Sequence, residues 1–279
     1  MAQAPVLLQA AIPASGEFLP RLGLGTYRSF DIPPKGAAAA ELSAILEDFQ
    51  RLGGRLIDSS PMYGQAEATV GALSQAAGIN EKLFMATKVW TQGLAEGKRQ
   101  MEQSLARLRR PHLELMQVHN LMDWKIHWPV LESWKQMGQF RYIGITHYNP
   151  AAFDSLAVIL EKGGVDFLQI PYNLGQRSAE RRLLSVAAEH GVAVIANEPF
   201  GQGALFKAVR GKALPPWTQD LGIRSWAQYF LKFILGDPRV QFVIPATGKL
   251  AHWMELWPGA VGALPTPKQR EQMLEVLGA

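Results

Sequence analysis

The sequence predicts a (β/α)8 barrel, and three observations carry that prediction. Eight short apolar runs recur along the 279 residues, helical stretches alternate with them, and four polar residues stand at or just past run ends. Those four are Asp58 in RLIDSS, Tyr63 in PMYG, Lys88 in LFMATKVW and His119 in LMQVHN. Parallel strands covered on both faces read as continuous apolar runs, and in a closed barrel the residues at their C-terminal ends share one mouth. The length suits one barrel of roughly 250 residues. No linker, low-complexity segment or internal repeat divides the chain, so a single domain over 1–279 is expected.

The segment VLLQAAIPASGEFLPRLGLG reads as two short strands around the turn-forming PASGE, then a first barrel strand ending near Gly25 and Thr26. The resulting N-terminal β-hairpin is expected to close the barrel bottom. Alanine and leucine content predicts a helix from Gly36 to Leu52, stopped by Gly53 and Gly54 before a second strand, Arg55 to Ile57. Further strands are expected at Leu83 to Ala86, Leu115 to Val118, Tyr142 to Ile145, Phe167 to Ile170, Val192 to Ile195 and Phe242 to Ile244. Helices between them are expected at Lys98 to Leu108, Pro129 to Met137, Ala152 to Lys162 and Ala179 to His190. The long stretch from Glu198 to Val240 carries GQGALF and KALPPWTQDLG ahead of a helix from Arg224 to Leu235, and is expected to lie over the mouth. A last helix, Pro267 to Leu277, should pack on the barrel's outside.

Composition narrows the chemistry. The absence of cysteine excludes disulfides, thiolate catalysis and cysteine metal sites, so redox chemistry here needs an external cofactor. The net charge of +4 comes from dispersed lysines and arginines, which favours a small anionic cofactor over nucleic acid. MAQAPVLLQAAIP has neither a basic n-region nor a long apolar core, and no stretch approaches transmembrane length. The expectation is therefore a monomer without membrane partner, cytoplasmic by default, although a removed leader would leave no trace.

Taken alone, each of the four polar residues has an ordinary structural explanation. Asp58 could cap a helix, Tyr63 could cover core, Lys88 and Asp58 could form a purely structural pair, and His119 could be a satisfied core histidine. Together they describe a proton donor. A phenol is too weak an acid to protonate a carbonyl oxygen at neutral pH unless a neighbouring ammonium stabilises the phenolate. An aspartate beside that lysine keeps the amine charged in a low-dielectric site, and a histidine can orient the carbonyl.

With these contexts the chain resembles the aldo-keto reductase superfamily. IDSSPMYG followed by Glu67 and Gly71, then TKVW, RLRRPHLELMQVHN, RYIGITHYN and FLQIPYNL fall in the family's order, and the resemblance runs from RLGLGTY to IPATGK. It implies hydride transfer from NADPH, or NADH, to an aldehyde or ketone, with Tyr63 as general acid, Lys88 and Asp58 tuning it and His119 orienting the carbonyl. Cofactor contacts are implied at Thr26, Asp58, Thr146, His147, Gln169, Asn197, Phe200, Gly201, Gly203, Thr247, Gly248, Lys249 and His252. A substrate pocket formed by Tyr27, Met62, Trp90, Leu121, Trp124 and Trp217 would prefer apolar or aromatic carbonyl compounds. The absence of a Rossmann GxGxxG fingerprint agrees with a family that binds the dinucleotide at the barrel mouth.

The chain also departs from the family's pattern. His147 stands where asparagine is usual, Asn197 where a tyrosine commonly stacks on the nicotinamide, Glu198 where a small hydroxyl residue is usual, and His252 where an arginine holds the 2'-phosphate. Lys249 is expected to compensate as a point charge, and to pair with Glu198. These departures keep a second reading open, a barrel of the same ancestry that binds a ligand or partner with weak or absent turnover. A metal-dependent hydrolase using His119, His147 and Asp58 ranks last, because no closely spaced histidine pair occurs and no metal is expected.

Overall fold

The structure, a computed structural model, describes residues 6–278. Strands β1 (Gln9–Ala11) and β2 (Phe18–Pro20) form an antiparallel hairpin. Eight parallel strands follow, β3 (Leu24–Gly25), β4 (Leu56–Asp58), β5 (Phe84–Val89), β6 (Leu113–His119), β7 (Phe140–Thr146), β8 (Phe167–Pro171), β9 (Ala193–Asn197) and β10 (Phe242–Val243). Each is hydrogen-bonded to the next in sequence order, and parallel bridges Leu22–Val243 and Gly25–Ala246 join the first to the last. The expected (β/α)8 barrel is the observed fold.

Strand residues two apart share a face, which divides the barrel interior by height. Leu56, Phe84, Ala86, Leu115, Tyr142, Phe167 and Ile195 pack with Ile12 and Leu19 of the hairpin into one apolar interior cluster. The hairpin therefore closes the end where the strands begin, and Glu17 in its turn accepts from Arg141 at 2.9 Å and from the Tyr142 hydroxyl at 2.9 Å. Two or four residues further along the same strands, that inward face turns polar at Asp58, Lys88, Gln117, His119, Thr146, Gln169 and Asn197, all on barrel strands. A dry plug below and a polar floor above follow from one period-two pattern.

Helices wrap the outside: α1 (Ala37–Arg51), α2 (Ala66–Ala76), α3 (Leu94–Leu108), α4 (Trp124–Gln136), α5 (Phe153–Leu160), α6 (Leu183–Glu189), α7 (Ala204–Ala208), α8 (Trp226–Leu235), α9 (Leu250–Leu256) and α10 (Pro267–Leu274). Leu42, Ile45, Leu46 and Phe49 of α1 are buried at helical spacing against the outer core, each such burial contributing roughly 1.5–3 kcal/mol. Helices α2, α7 and α9 were not among the sequence expectations. Helix α4 starts at Trp124 with Pro129 inside it, not at Pro129, because proline also signals a helix start and masked the earlier turn. Ser225 caps α8 by accepting the Gln228 N–H, and a Thr266–Gln269 capping box starts α10. Among the described residues no helix is long and apolar enough to cross a membrane.

Candidate active site

Asp58 ends β4 and is 2 % exposed; Lys88 on the neighbouring β5 is completely buried. Lys88 Nζ donates to Asp58 Oδ2 at 2.7 Å and to the Ser59 carbonyl at 2.7 Å. The other carboxylate oxygen, Oδ1, accepts from Gln169 Nε2 at 2.7 Å and from Gln117 Nε2 at 3.3 Å. A buried carboxylate is tolerable only with such partners, and this one has an ammonium and two amides. The strand register brings them together: Lys88 lies beside Gln117 on β6, and Thr146 on β7 beside Gln169 on β8.

Tyr63 reaches the same floor from the loop after β4. Its N–H donates to the Ser60 carbonyl at 3.0 Å in a tight turn, and Gly64 next to it takes φ 60°. Lys88 Nζ lies 5.2 Å from the Tyr63 ring centroid. The His119 ring stands edge-on to Tyr63 at 6.1 Å, with Trp90 at 6.4 Å from the imidazole and Tyr27 at 4.9 Å from the phenol ring. Tyr63, Lys88, Asp58 and His119 are thus brought together by three adjacent strands and one turn.

Charge in this floor is set by burial first. Burial lifts the Tyr63 phenol above its ordinary value; the nearby Lys88 ammonium pulls it down but does not win. Lys88 acts in the expected direction, but burial outweighs it, so the phenol stays protonated at neutral pH. Burial opposes the charge on Lys88 as well, yet Asp58 and Tyr63 outweigh it, so the amine stays an ammonium. His119 is pushed down to about 2 by burial and by the Lys88 charge, which makes it a neutral imidazole.

A cleft of about 770 Å³ opens above this floor, within the size range of small-molecule sites. Thr26, Tyr27, Asp58, Met62, Tyr63, Trp90, His119, Thr146, Gln169, Asn197, Phe200 and Gly203 line it, all of them expected from the sequence. Lys88 lies beneath it. Glu198, Gln202 and Phe206 bring the first part of the long segment over the mouth, as expected. Its later part does not reach the cleft: Trp217 packs on Tyr229 at 6.5 Å. Trp124 packs on Trp128 at 6.1 Å, and Leu121 with it against the outer core, so these three expected pocket residues stand outside the cleft lining. An aromatic in a strand-following loop can cover core or line a mouth, and composition does not distinguish the two.

His147, Gly201, Thr247, Gly248, Lys249 and His252 also lie outside that lining. His147 Nδ1 accepts the Asn149 N–H at 3.0 Å, and its ring stacks on Tyr148, which does face the cleft. The expected Glu198–Lys249 pair does not form. Lys249 Nζ is 3.2 Å from Glu41 Oε2 on α1, while Glu198 accepts from Gln202 Nε2 at 3.1 Å. Glu41 Oε1 also accepts the Leu250 N–H at 3.1 Å, so this carboxylate answers the start of α9 as well as the lysine.

Several residues in and beneath the cleft do not follow from the sequence reading. Gln117 was legible, since it stands two residues before His119 on one strand and so shares its inward face. Ser60, whose Oγ is 3.2 Å from His119 Nδ1, was visible only as a neighbour of Asp58. Asn120 and Tyr148 come from loops with no such periodic signal, and Phe206 from the short helix α7 that was not expected. Among the described residues, no group of three or more His, Asp or Glu side chains is placed to share a metal ion. Asn120 Oδ1 and Asn197 Oδ1, on cleft-lining residues, are buried acceptors without a partner among the described residues.

The sequence model of the Aldo/keto reductase family matches residues 21–257. Methylglyoxal reductase YeaE of Escherichia coli (strain K12) is 29% identical over 253 residues, covering 88% of this chain and 87% of that protein. An aldo-keto reductase of Mycobacterium avium (strain 104) is 31% identical over 204 residues, covering 68% of this chain and 64% of that one. Among solved structures, an aldo-keto reductase from Klebsiella pneumoniae in complex with NADPH superposes with a TM-score of 0.80 at 21% identity, covering 97% of this chain and 94% of that one. The holo form of an aldo-keto reductase from Bacillus halodurans gives 0.78 at 19% identity, with 97% and 96% covered. At those identities the two structures speak to the fold.

Proposed function

Because the chain belongs to the aldo/keto reductase family, we propose that it reduces aldehydes or ketones to alcohols, with Tyr63 delivering the proton. The observation that carries this reading is the fully buried Lys88–Asp58 pair at 2.7 Å, set under the Tyr63 ring and opening onto the cleft. A pure binding module has no chemical need for a desolvated lysine beside a tyrosine.

NADPH is the proposed cofactor; the chain resembles proteins that include an NADPH complex, and NADH is the second candidate. When bound, the reduced nicotinamide supplies hydride to the carbonyl carbon. Thr146, Gln169 and Asn197 line the cleft where its carboxamide would be held. The chain's own residues manage the proton. His119, neutral and at the cleft wall, orients the carbonyl oxygen by hydrogen bonding. Tyr63, kept protonated by burial, gives its hydroxyl proton to that oxygen, and the Lys88 ammonium stabilises the phenolate left behind. Asp58, held by Gln117 and Gln169, keeps Lys88 charged in place. The polar floor does the chemistry, while Tyr27, Met62, Trp90, Tyr148 and Phe206 offer an apolar rim that suits hydrophobic carbonyl compounds. The reading takes the chain as one monomeric barrel domain over 1–279.

The test is NADPH oxidation with a panel of aldehydes and ketones, methylglyoxal and aromatic aldehydes among them. Tyr63→Phe should remove turnover while leaving NADPH binding intact. Robust turnover in that variant sinks the mechanism. Binding without turnover in the unmodified protein favours the ligand-binding reading.

A further inference from the structure

Ser60 follows Asp58 by two residues and is completely buried. Its Oγ accepts the Met62 N–H at 3.4 Å and lies 3.2 Å from His119 Nδ1. A serine hydroxyl has one hydrogen to donate. Among the described residues, His119 Nδ1 is the one hydrogen-bonding acceptor beside this hydroxyl.

A neutral imidazole has one N–H donor and one bare acceptor nitrogen, and the partner of one nitrogen decides the state of the other. Two arrangements satisfy the Ser60–His119 distance. With the proton on Nδ1, the imidazole donates to Ser60 Oγ, which already accepts from Met62, and the serine hydrogen is left in a dry site with no acceptor. With the proton on Nε2, the serine hydrogen goes to bare Nδ1 and every group in the chain Met62 N–H, Ser60 Oγ, His119 Nδ1 is satisfied. Buried polar hydrogens without partners are strongly disfavoured, so the second arrangement wins. His119 Nε2 makes no hydrogen bond within the described protein and is not sealed from solvent, while the residue lines the cleft. The free nitrogen is therefore the one a ligand meets.

We propose that Ser60 is a positioning residue that donates to His119 Nδ1 and fixes the imidazole as the Nε2–H tautomer, presenting a hydrogen-bond donor to the carbonyl oxygen. The final clause rests on the reductase reading above; the tautomer itself does not. The serine also holds the ring edge-on to Tyr63, because the hydrogen bond removes the freedom to rotate or flip the imidazole. Loss of that hydroxyl leaves Nδ1 bare in a buried site and lets both tautomers and both ring orientations compete.

The experiment is long-range proton–nitrogen NMR on the full chain carrying nitrogen-15 histidine, with His119 assigned by comparison with His119→Gln. The expected spectrum of the unmodified protein has a protonated Nε2 and a bare Nδ1. Ser60→Ala should shift both nitrogens toward averaged values, and Ser60→Thr, which keeps a hydroxyl, should restore them. A protonated Nδ1 in the unmodified protein, or a Ser60→Ala spectrum identical to it, overturns the proposal. In parallel, Ser60→Ala should lower kcat for carbonyl reduction by about tenfold with little change in KM. If the NMR result holds but no variant, nor the parent, turns over, the reductase reading has failed and the tautomer assignment has not.

Discussion

Gly144 on β7 sits directly across the ladder from Gln117 on β6, and the space a Cβ would take is already filled. A Cβ there would stand 2.6 Å from the Phe167 carbonyl and 3.2 Å from Gln117 Cγ. The glycine is thus what lets a glutamine lie flat enough to reach Asp58. Gly144→Ala should cost about 1–3 kcal/mol through overpacking against backbone that cannot yield. It should also weaken the hold on Asp58 and lower kcat/KM. Urea unfolding reads the first effect and initial rates the second; an alanine variant with parental stability would show that β8 shifts freely.

With Tyr63 as the proposed proton donor, the direction of its shift sets the pH dependence of turnover. Reduction needs the phenol protonated, and burial raises Tyr63 above its ordinary value of 10. Reductase kcat/KM should therefore be level through neutral pH and fall only above about pH 10 as the proton is lost. Alcohol oxidation needs the phenolate, so its rate should climb over the range in which reduction is level. A reductase profile that falls with a midpoint near pH 7 would remove Tyr63 from the donor role.

His119 predicts an acid sensitivity that can be isolated by mutation. Its folded value is about 2 against an ordinary 6.5, so below pH 6.5 the unfolded chain binds a proton that the folded protein refuses. Stability is full above pH 6.5 and declines as pH falls through that window, by at most about 1.4 kcal/mol per pH unit from this group. His119→Gln has no such proton to bind. The difference in urea midpoint between variant and parent should therefore move in the variant's favour from pH 7 to pH 5, whatever its offset at pH 7. Parallel curves would mean that His119 is protonated in the folded state.

What the sequence revealed follows the physics of short range and strict period. Strand ends were legible because parallel strands are apolar throughout and stop at polar residues, so Asp58, Lys88 and His119 announced themselves. Gln117 is equally legible by the period of two, although the apolar residues around it conceal it. Trp124 and Trp217 misled because a large aromatic beside a strand end packs equally well against core or cleft. Lys249 misled for a different reason. Its partner Glu41 lies 208 residues away on another helix, and no local pattern ties the two together.

That last pair carries a prediction about the nucleotide. The family resemblance puts the adenosine 2'-phosphate against Thr247 to His252, where Lys249 is the cation that should receive it. In this chain Lys249 already pairs with Glu41 Oε2 at 3.2 Å, and the Glu41 carboxyl is held below its ordinary value by the Leu250 N–H and by Lys249. A carboxylate in that position competes with phosphate for the same ammonium and the same backbone N–H. A bare ribose hydroxyl suffers no such competition. Glu41→Gln should therefore tighten NADPH binding several-fold while leaving NADH nearly unchanged, and added salt should shrink the difference by screening. Quenching of the eight tryptophans during titration reads both dissociation constants. Equal changes for the two nucleotides would place the 2'-phosphate elsewhere. No change for either would mean that Glu41 yields its lysine to the ligand without cost.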